Sequence, residues 1–212
     1  MLTKHLKVII ASGALFFGVV ACNDGENKNG NGDSATVENS NPVDSAKEVN
    51  DNRLADSVES DADYLVEAAH LGMKEVESSK WAQKHAVSQT AKNFASMMVT
   101  EHTAMNKKVK ALAAQKNITL PDSIPHDEME NIRNNDKKDA DFDRDYMSMM
   151  VDDHEKAIDK FERAADKAKD ADIKKLFVDG LPSLKKHLEM AKTAKDKVDK
   201  SKDNNKDNSS KQ

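Results

Sequence analysis

The chain has 212 residues, enough for one ordinary domain with flanking segments. Charged residues make up 33% and aromatic residues only 4%, a balance that suits exposed helices around a small aliphatic core and disfavours a β-sandwich. The formal net charge is −5 at pH 7. Such an acidic balance excludes nucleic acid as the expected partner, because phosphate contacts need clustered Lys and Arg.

The first 21 residues have the layout of a secretory signal. Residues 1–7 carry two lysines and residues 8–20 are almost wholly apolar. An apolar run of about 13 residues is short for a membrane span. The VVAC sequence at 19–22 resembles a lipobox, the motif at which bacterial lipoproteins are cleaved before a cysteine that carries lipid. We therefore predict a signal peptide over residues 1–21 and lipidation of Cys22; the alternative is an ordinary signal peptide with a chance cysteine.

Lipidation at Cys22 predicts where the protein resides. Lipid chains would hold it at the membrane, and loss of Lys4 and Lys7 with the signal would take the formal charge from −5 to −7. Cys22 is the only cysteine, so no internal disulfide can form. Asn23 is not the Asp that resembles an inner-membrane retention signal, which favours the outer membrane of a bacterial cell envelope.

The rest of the chain divides into a tether, a helical domain and a tail. Residues 22–59 are rich in Asn, Asp, Ser and Gly without apolar periodicity, which predicts a disordered tether after the lipidated cysteine. Residues 60–199 carry four patterns with apolar positions three and four residues apart, which predicts four helices. Residues 200–212 are polar and predict a disordered tail.

The lengths of the connections predict how the four helices are arranged. The expected helices begin near residues 60, 89, 140 and 171, so the turns inside the first and last pairs are short. A long connection over residues 121–139 joins the two pairs, and HDEMENIRNN within it predicts a short helix. The fold class expected is all-α, a ferritin-like four-helix bundle built from two helical hairpins with a long crossover connection.

A short pattern occurs on both the second and the third predicted helix. Residues 94–102 read FASMMVTEH and residues 146–154 read YMSMMVDDH. Each copy opens with an aromatic residue, carries Met-Met-Val in the middle and closes with an acidic residue followed by His. The pattern therefore puts His102 and His154 at the same place on two helices.

One candidate metal ligand lies on the apolar stripe of each helix. The four are Glu75, His102, His154 and His187. At a rise of about 1.5 Å per residue from the predicted turns, all of them lie near mid-height of the bundle, within roughly one helical turn. Imidazole and carboxylate groups that converge in a bundle core are how such folds build metal sites.

The surrounding methionines indicate which metal to expect. Met98 lies four residues before His102, and Met150 lies four before His154, so thioether and imidazole share a helix face. That combination suits Cu(I), whereas carboxylate plus imidazole suits Fe or Zn. We expect copper ahead of Fe or Zn, with Met98 and Met150 as additional ligands. In the alternative, the methionines fill the core and the His and Glu layer is a buried hydrogen-bond network in a structural or stress-related envelope protein.

Catalysis has little support in the sequence. There is no GxSxG, no Gly-rich phosphate loop and no second cysteine to act as a nucleophile. The Glu-x-x-His motif of di-iron bundles is missing, because Val99, Val151 and Leu184 stand three residues before the histidines. An oxidase or peroxidase would need an open coordination position. We expect a binding or structural protein rather than an enzyme.

Several of these segments together resemble the bacterial lipoprotein family called domain of unknown function 4142. The resemblance spans residues 61–194 and rests on the two Met-Met-Val segments, ITLP at 118–121, FDRDY at 142–146 and LPSLKKHLEMAK at 181–192. The family is similar to ferritin-like four-helix bundles, so the resemblance implies that fold. Its motif positions match Glu75, His102, His154 and His187, and it implies no established activity.

Overall fold

The computed structural model describes residues 41–134 and 140–209, with the side chains of residues 56, 57, 59 and 202–209 outside that description. The predicted signal peptide, the lipidation site Cys22 and the tether up to residue 40 lie outside the described residues. All regular structure in the described part is helical. The six helices are α1 (Pro42–Asp51), α2 (Asp56–His85), α3 (Gln89–Gln115), α4 (His126–Arg133), α5 (Ala140–Lys167) and α6 (Ala171–Ser209).

Four long helices form the body of the domain. α2 packs along α3, and α5 packs along α6, as two hairpins. The hairpins meet where α3 contacts α6 and α2 contacts α5, so α3 and α5 lie diagonally across the bundle. The prediction of an all-α bundle is confirmed, and the expected short helix in the crossover is α4; the ferritin-like detail stays a prediction. None of the described helices has the length and the apolar character needed to cross a membrane.

The ordered part begins earlier than the sequence analysis expected. Residues 42–51, placed in the tether, form α1, whose first turn is capped by the Asn41 side chain accepting a hydrogen bond from the Val43 backbone N–H at 2.9 Å. Val43 and Ala46 are buried against Val66 of α2. Asn50 donates to the carbonyl of Thr119 at 2.9 Å and accepts from its N–H at 2.8 Å. Such tertiary contacts order a segment whose polar composition alone predicts disorder.

At both ends the helical domain extends farther than the sequence predicted. α2 begins at Asp56, ahead of residue 60. At the other end α6 continues to Ser209, through the segment from residue 200 that was expected to be a tail. The end predicted at 199 followed the last apolar position, Val198, and the helical backbone continues past it, just as α2 begins before the predicted start.

The two tight turns are held by buried carboxylates from the opposite hairpin. Asp61 of α2 accepts hydrogen bonds from the backbone N–H groups of Lys169 at 3.0 Å and Asp170 at 2.6 Å, in the α5–α6 turn. Asp143 of α5 accepts from the N–H groups of Val87 at 2.9 Å and Ser88 at 2.7 Å, in the α2–α3 turn. Each hairpin is thereby tied to the other by charge-assisted bonds at both ends of the bundle.

Apart from the small cluster of α1 against Val66, the apolar core has two clusters with a polar layer between them. One cluster includes Leu65, Val109 and Phe161, and the other includes Phe94, Met98 and Tyr146. On each long helix a buried His or Glu lies between the two clusters. These residues are Glu75 on α2, His102 on α3, His154 on α5 and His187 on α6. Buried polar groups need partners, so the contacts within this layer bear on the stability of the fold.

Candidate metal centre

Three imidazole rings meet in the layer between the two apolar clusters. The ring centroids of His102 and His187 lie 5.1 Å apart, those of His102 and His154 5.5 Å, and those of His154 and His187 5.6 Å. One potential ligand atom from each ring lies within 4.8 Å of the other two. All three side chains are buried. We call these three residues the histidine triad.

Each ring of the triad has one nitrogen bound to an oxygen outside the triad. Nδ1 of His102 lies 2.6 Å from Oε2 of Glu75, and Nε2 of His187 lies 2.7 Å from Oε2 of Glu101. Nδ1 of His154 lies 2.7 Å from the backbone carbonyl oxygen of Met150, one helical turn earlier. A carboxylate or carbonyl oxygen accepts only, so each of these nitrogens is the protonated donor.

The remaining nitrogens are the ones that can hold a ligand. Nε2 of His102 lies 3.1 Å from Nδ1 of His187. Nε2 of His154 is fully buried and has no hydrogen-bond partner among the described residues. A buried polar atom without a partner lowers the stability of the fold by about 1–3 kcal/mol. A ligand bound to this nitrogen would remove that cost.

Glu75 lies behind the triad rather than among its inner nitrogens. Its Oε1 is 3.6 Å from Nδ1 of His154, and no hydrogen-bond partner for that oxygen is found in the described residues. Burial alone would raise the pKa of Glu75, but the charge and hydrogen bond of His102, with the charges of His154 and His187, outweigh it and hold the pKa below its ordinary value. Glu75 is therefore a carboxylate, and in this position it orients the ring of His102.

Glu101 is the residue that sequence reasoning missed. It precedes His102 on α3, on the outer side of the apolar stripe, and yet its carboxylate binds His187 of α6. The hydrogen bond to His187 lowers the pKa of Glu101 despite a smaller opposing effect of burial. The sequence did offer one signal, because an acidic residue precedes His in both copies of the repeated pattern. In the second copy this residue is Asp153, which forms an ion pair with Lys74 at 2.9 Å instead, so the two acidic residues have different roles.

The electrostatic environment keeps the inner face of His187 available for a ligand. Burial lowers the pKa of His187, and the nearby His102 and His154 lower it further, whereas the hydrogen bond to Glu101 acts in the opposite direction. The net effect is a lowered pKa, which favours the neutral ring. A neutral ring that donates through Nε2 has a free lone pair on Nδ1, which points into the triad.

The methionines named by the sequence are core residues next to the triad. Met98 and Met150 are fully buried in the apolar cluster that contains Phe94 and Tyr146. The backbone of Met150 takes part directly, because its carbonyl accepts the bond from His154. Whether either sulfur is a ligand stays a prediction.

The model of one protein family matches most of this domain. The family is described as a domain of unknown function, DUF4142, and the match covers residues 45–194. The chain belongs to this family. The matched DUF4142 range begins inside α1 and includes the whole histidine triad together with Glu75 and Glu101. No curated protein and no solved structure matches the chain.

Proposed function

We propose that the protein binds one transition-metal ion between His102, His154 and His187. The supporting observation is the orientation of the six ring nitrogens. Three face oxygens outside the triad, from Glu75, Glu101 and the Met150 carbonyl. In protein metal sites a ligating His usually donates its other N–H to a carboxylate or a backbone carbonyl, which fixes the tautomer and the ring orientation.

The inner nitrogens support the same proposal through their spacing. Two ligands of a tetrahedral metal with metal–nitrogen bonds of about 2.0–2.1 Å lie about 3.3 Å apart. The inner nitrogens of His102 and His187 are 3.1 Å apart, which is close to that value. The buried Nε2 of His154, unpartnered among the described atoms, would become the third ligand.

The alternative, a purely structural hydrogen-bond network, fits these observations less well. A stabilising buried network has its donors and acceptors satisfied, because a partly satisfied network costs more than an apolar core. In the described residues, Nε2 of His154 and Oε1 of Glu75 both lack partners. A metal ion would use the first directly and would attract the carboxylate of the second through its charge.

Copper is the metal we favour. Three imidazoles alone suit Cu, Zn, Fe or Ni. Met98 and Met150 lie four residues before His102 and His154 on the same helices, and both are buried. A thioether near the imidazoles would favour Cu(I), because soft sulfur ligands select soft metals. Fe and Zn are the other metals to test.

The proposed site belongs to a protein held at the bacterial cell envelope. The sequence supports this with a signal-like segment over residues 1–21 and a lipobox-like end at Cys22. Lipid on Cys22 would attach the domain to the membrane, with the outer membrane favoured by Asn23. Mass spectrometry of the protein purified from bacterial membranes tests this: a diacylated N-terminal Cys22 is expected, and an intact or unmodified N-terminus would contradict it.

Metal loading of the purified protein tests the proposed site. The protein would be incubated separately with Cu(I), Zn(II) and Fe(II), desalted, and its stoichiometry read by native mass spectrometry. We expect one ion per chain, lost in His102→Ala and His154→Ala and retained in the control His126→Ala, whose side chain is exposed on α4. No retained metal, with both triad variants folded but less stable, would instead support the structural network.

A further inference from the structure

We propose that the metal ion enters and leaves the triad through the seam between α3 and α6, with Glu101 as its first ligand and His187 as the ring that admits it. This inference rests on the proposed metal-binding function. It adds the route of exchange and names the residue that sets the exchange rate.

The first observation is a gradient of exposure across the layer. The side chain of Glu101 is 42% exposed, whereas that of His187, which it contacts, is 3% exposed. Farther in, His154 is 0% exposed and Glu75 4%. Of the side chains that hold the triad in the described residues, Glu101 is the one that reaches solvent. An incoming ion therefore meets this carboxylate first.

The second observation concerns what lies at the two ends of the triad and on its α2–α5 side. Above and below it lie the two apolar clusters. On the α2–α5 side the carboxylate of Glu75 is buried, and the ion pair between Lys74 and Asp153 lies beside it. α4 packs on α2 and is tied there by the contact of Glu128 with His70 at 2.9 Å. A charged ion crosses an apolar cluster only at high desolvation cost, whereas the α3–α6 seam offers it the exposed carboxylate of Glu101.

The third observation is a difference in how the two neighbouring rings are held. Nδ1 of His102 is bound to a buried carboxylate, so that ring is fixed from within the core. The ring of His187 is bound on its outer side to an exposed carboxylate, and its Nδ1 faces the centre. Release of that single outer bond lets His187 turn, while His102 stays in place. His187 is thus the ring that spans the distance from the seam to the centre.

The seam itself leaves room for exchange. A surface groove runs between α3 and α6 next to the site, lined among others by Phe94, Lys186 and Met190. Met190 lies three residues after His187 on the same helix and is 38% exposed. The groove comes nearest to the site at Lys186, the neighbour of His187 on α6, and the exposed Glu101 lies outside its lining. The proposed path runs from solvent to Glu101, then to the outer side of His187, then to the inner nitrogens.

The kinetics of copper transfer test the route. The probe is the Cu(I)–bicinchoninate complex, whose absorbance falls as the protein takes copper, and excess chelator then measures release. The key variant is Glu101→Gln, since an amide oxygen can still accept the bond from His187 while the anionic ligand is lost. We expect uptake and release both to slow by about tenfold, with one ion per chain still bound at equilibrium.

Two comparison variants separate a gate from a purely orienting group. Asp179→Asn, an exposed carboxylate on α6 that does not line the groove, should leave both rates unchanged. Glu75→Gln removes a buried orienting carboxylate and should speed release without slowing uptake. If Glu101→Gln behaves like Glu75→Gln, or leaves uptake unchanged, the route is wrong while metal binding stands. If the unmodified protein binds no copper, zinc or iron, the proposed metal site and the proposed route are both wrong.

Discussion

Nε2 of His102 lies 3.1 Å from Nδ1 of His187, and the other nitrogen of each ring faces a carboxylate. The series from Glu75 through His102 and His187 to Glu101 would contain three hydrogen bonds, which need three protons on the four ring nitrogens. Two neutral rings carry only two, so one of the rings would have to be an imidazolium. Burial lowers the pKa of His187, which makes the extra proton unfavourable there. A metal ion between the rings removes the need for that proton, because both inner nitrogens then act as lone-pair donors.

Metal should stabilise the native protein and should fail to do so without His154. A ligand that binds only the folded state adds about 2.7 kcal/mol at 100 times its Kd. We therefore expect copper to raise the Tm of the unmodified protein and to leave that of His154→Ala unchanged. Thermal unfolding with and without copper measures both. His126→Ala serves as the matched control and should keep the full shift. A shift retained in His154→Ala would place the metal elsewhere.

Glu75→Gln should weaken metal binding without removing it. The carboxylate orients His102 through a 2.6 Å contact, and the amide keeps the shape but loses the charge. Loss of such an outer partner typically costs 10- to 100-fold in metal affinity. Competition with a chelator of known affinity measures the change, and Glu128→Gln on α4 is the control. An unchanged affinity would mean that Glu75 has no influence on the ligating ring.

The metal-free protein should lose stability as the pH falls from 7 to 4. Burial and neighbouring imidazoles lower the pKa of His187, and contacts with the imidazoles lower that of Glu75. In both cases the unfolded state binds more protons, so the free energy of unfolding decreases on acidification. The contribution of His187 begins below about pH 6.5 and that of Glu75 below about pH 4.3.

Urea denaturation at pH 7, 5.5 and 4 measures this dependence. His187→Gln removes the first titrating group, so its stability should change less between pH 7 and 5.5 than that of the unmodified protein. Equal slopes in the two proteins over that interval would show that His187 titrates at the same pH in the folded and unfolded states.

Much of the fold and the height of the polar layer could be predicted because helices have a fixed rise per residue. Spacings of three and four define the four apolar stripes, and counting from the turns places Glu75, His102, His154 and His187 at one level. The structure brings these four side chains into contact range. Membership of the DUF4142 family and the all-α bundle were both predicted from the sequence and are confirmed.

The details that decide the chemistry could not be predicted in the same way. The contact of Glu101 with His187 depends on how α3 and α6 are rotated against each other, and spacing along one helix does not contain that information. The position of Glu75 behind His102 depends on side-chain rotamers in the same way. α1 was missed because its order comes from contacts with α2 and Thr119 rather than from its own composition.

The reciprocal turn contacts predict which substitutions unfold the bundle without touching the metal site. Asp61 and Asp143 are buried, and each accepts from two backbone N–H groups of the opposite hairpin. Asp61→Ala or Asp143→Ala would remove the acceptor of two backbone hydrogen bonds in a partly exposed turn, each contributing about 1–2 kcal/mol. We expect either variant to lose about 2–4 kcal/mol in urea denaturation. Asp179→Ala, an exposed change on α6, should keep its free energy of unfolding within about 0.5 kcal/mol of the unmodified protein.

Copper stoichiometry should remain one ion per chain in all three variants at low temperature, because the triad lies between the apolar clusters and away from the turns. A metal loss that parallels the stability loss would instead show that the turn contacts position the histidines.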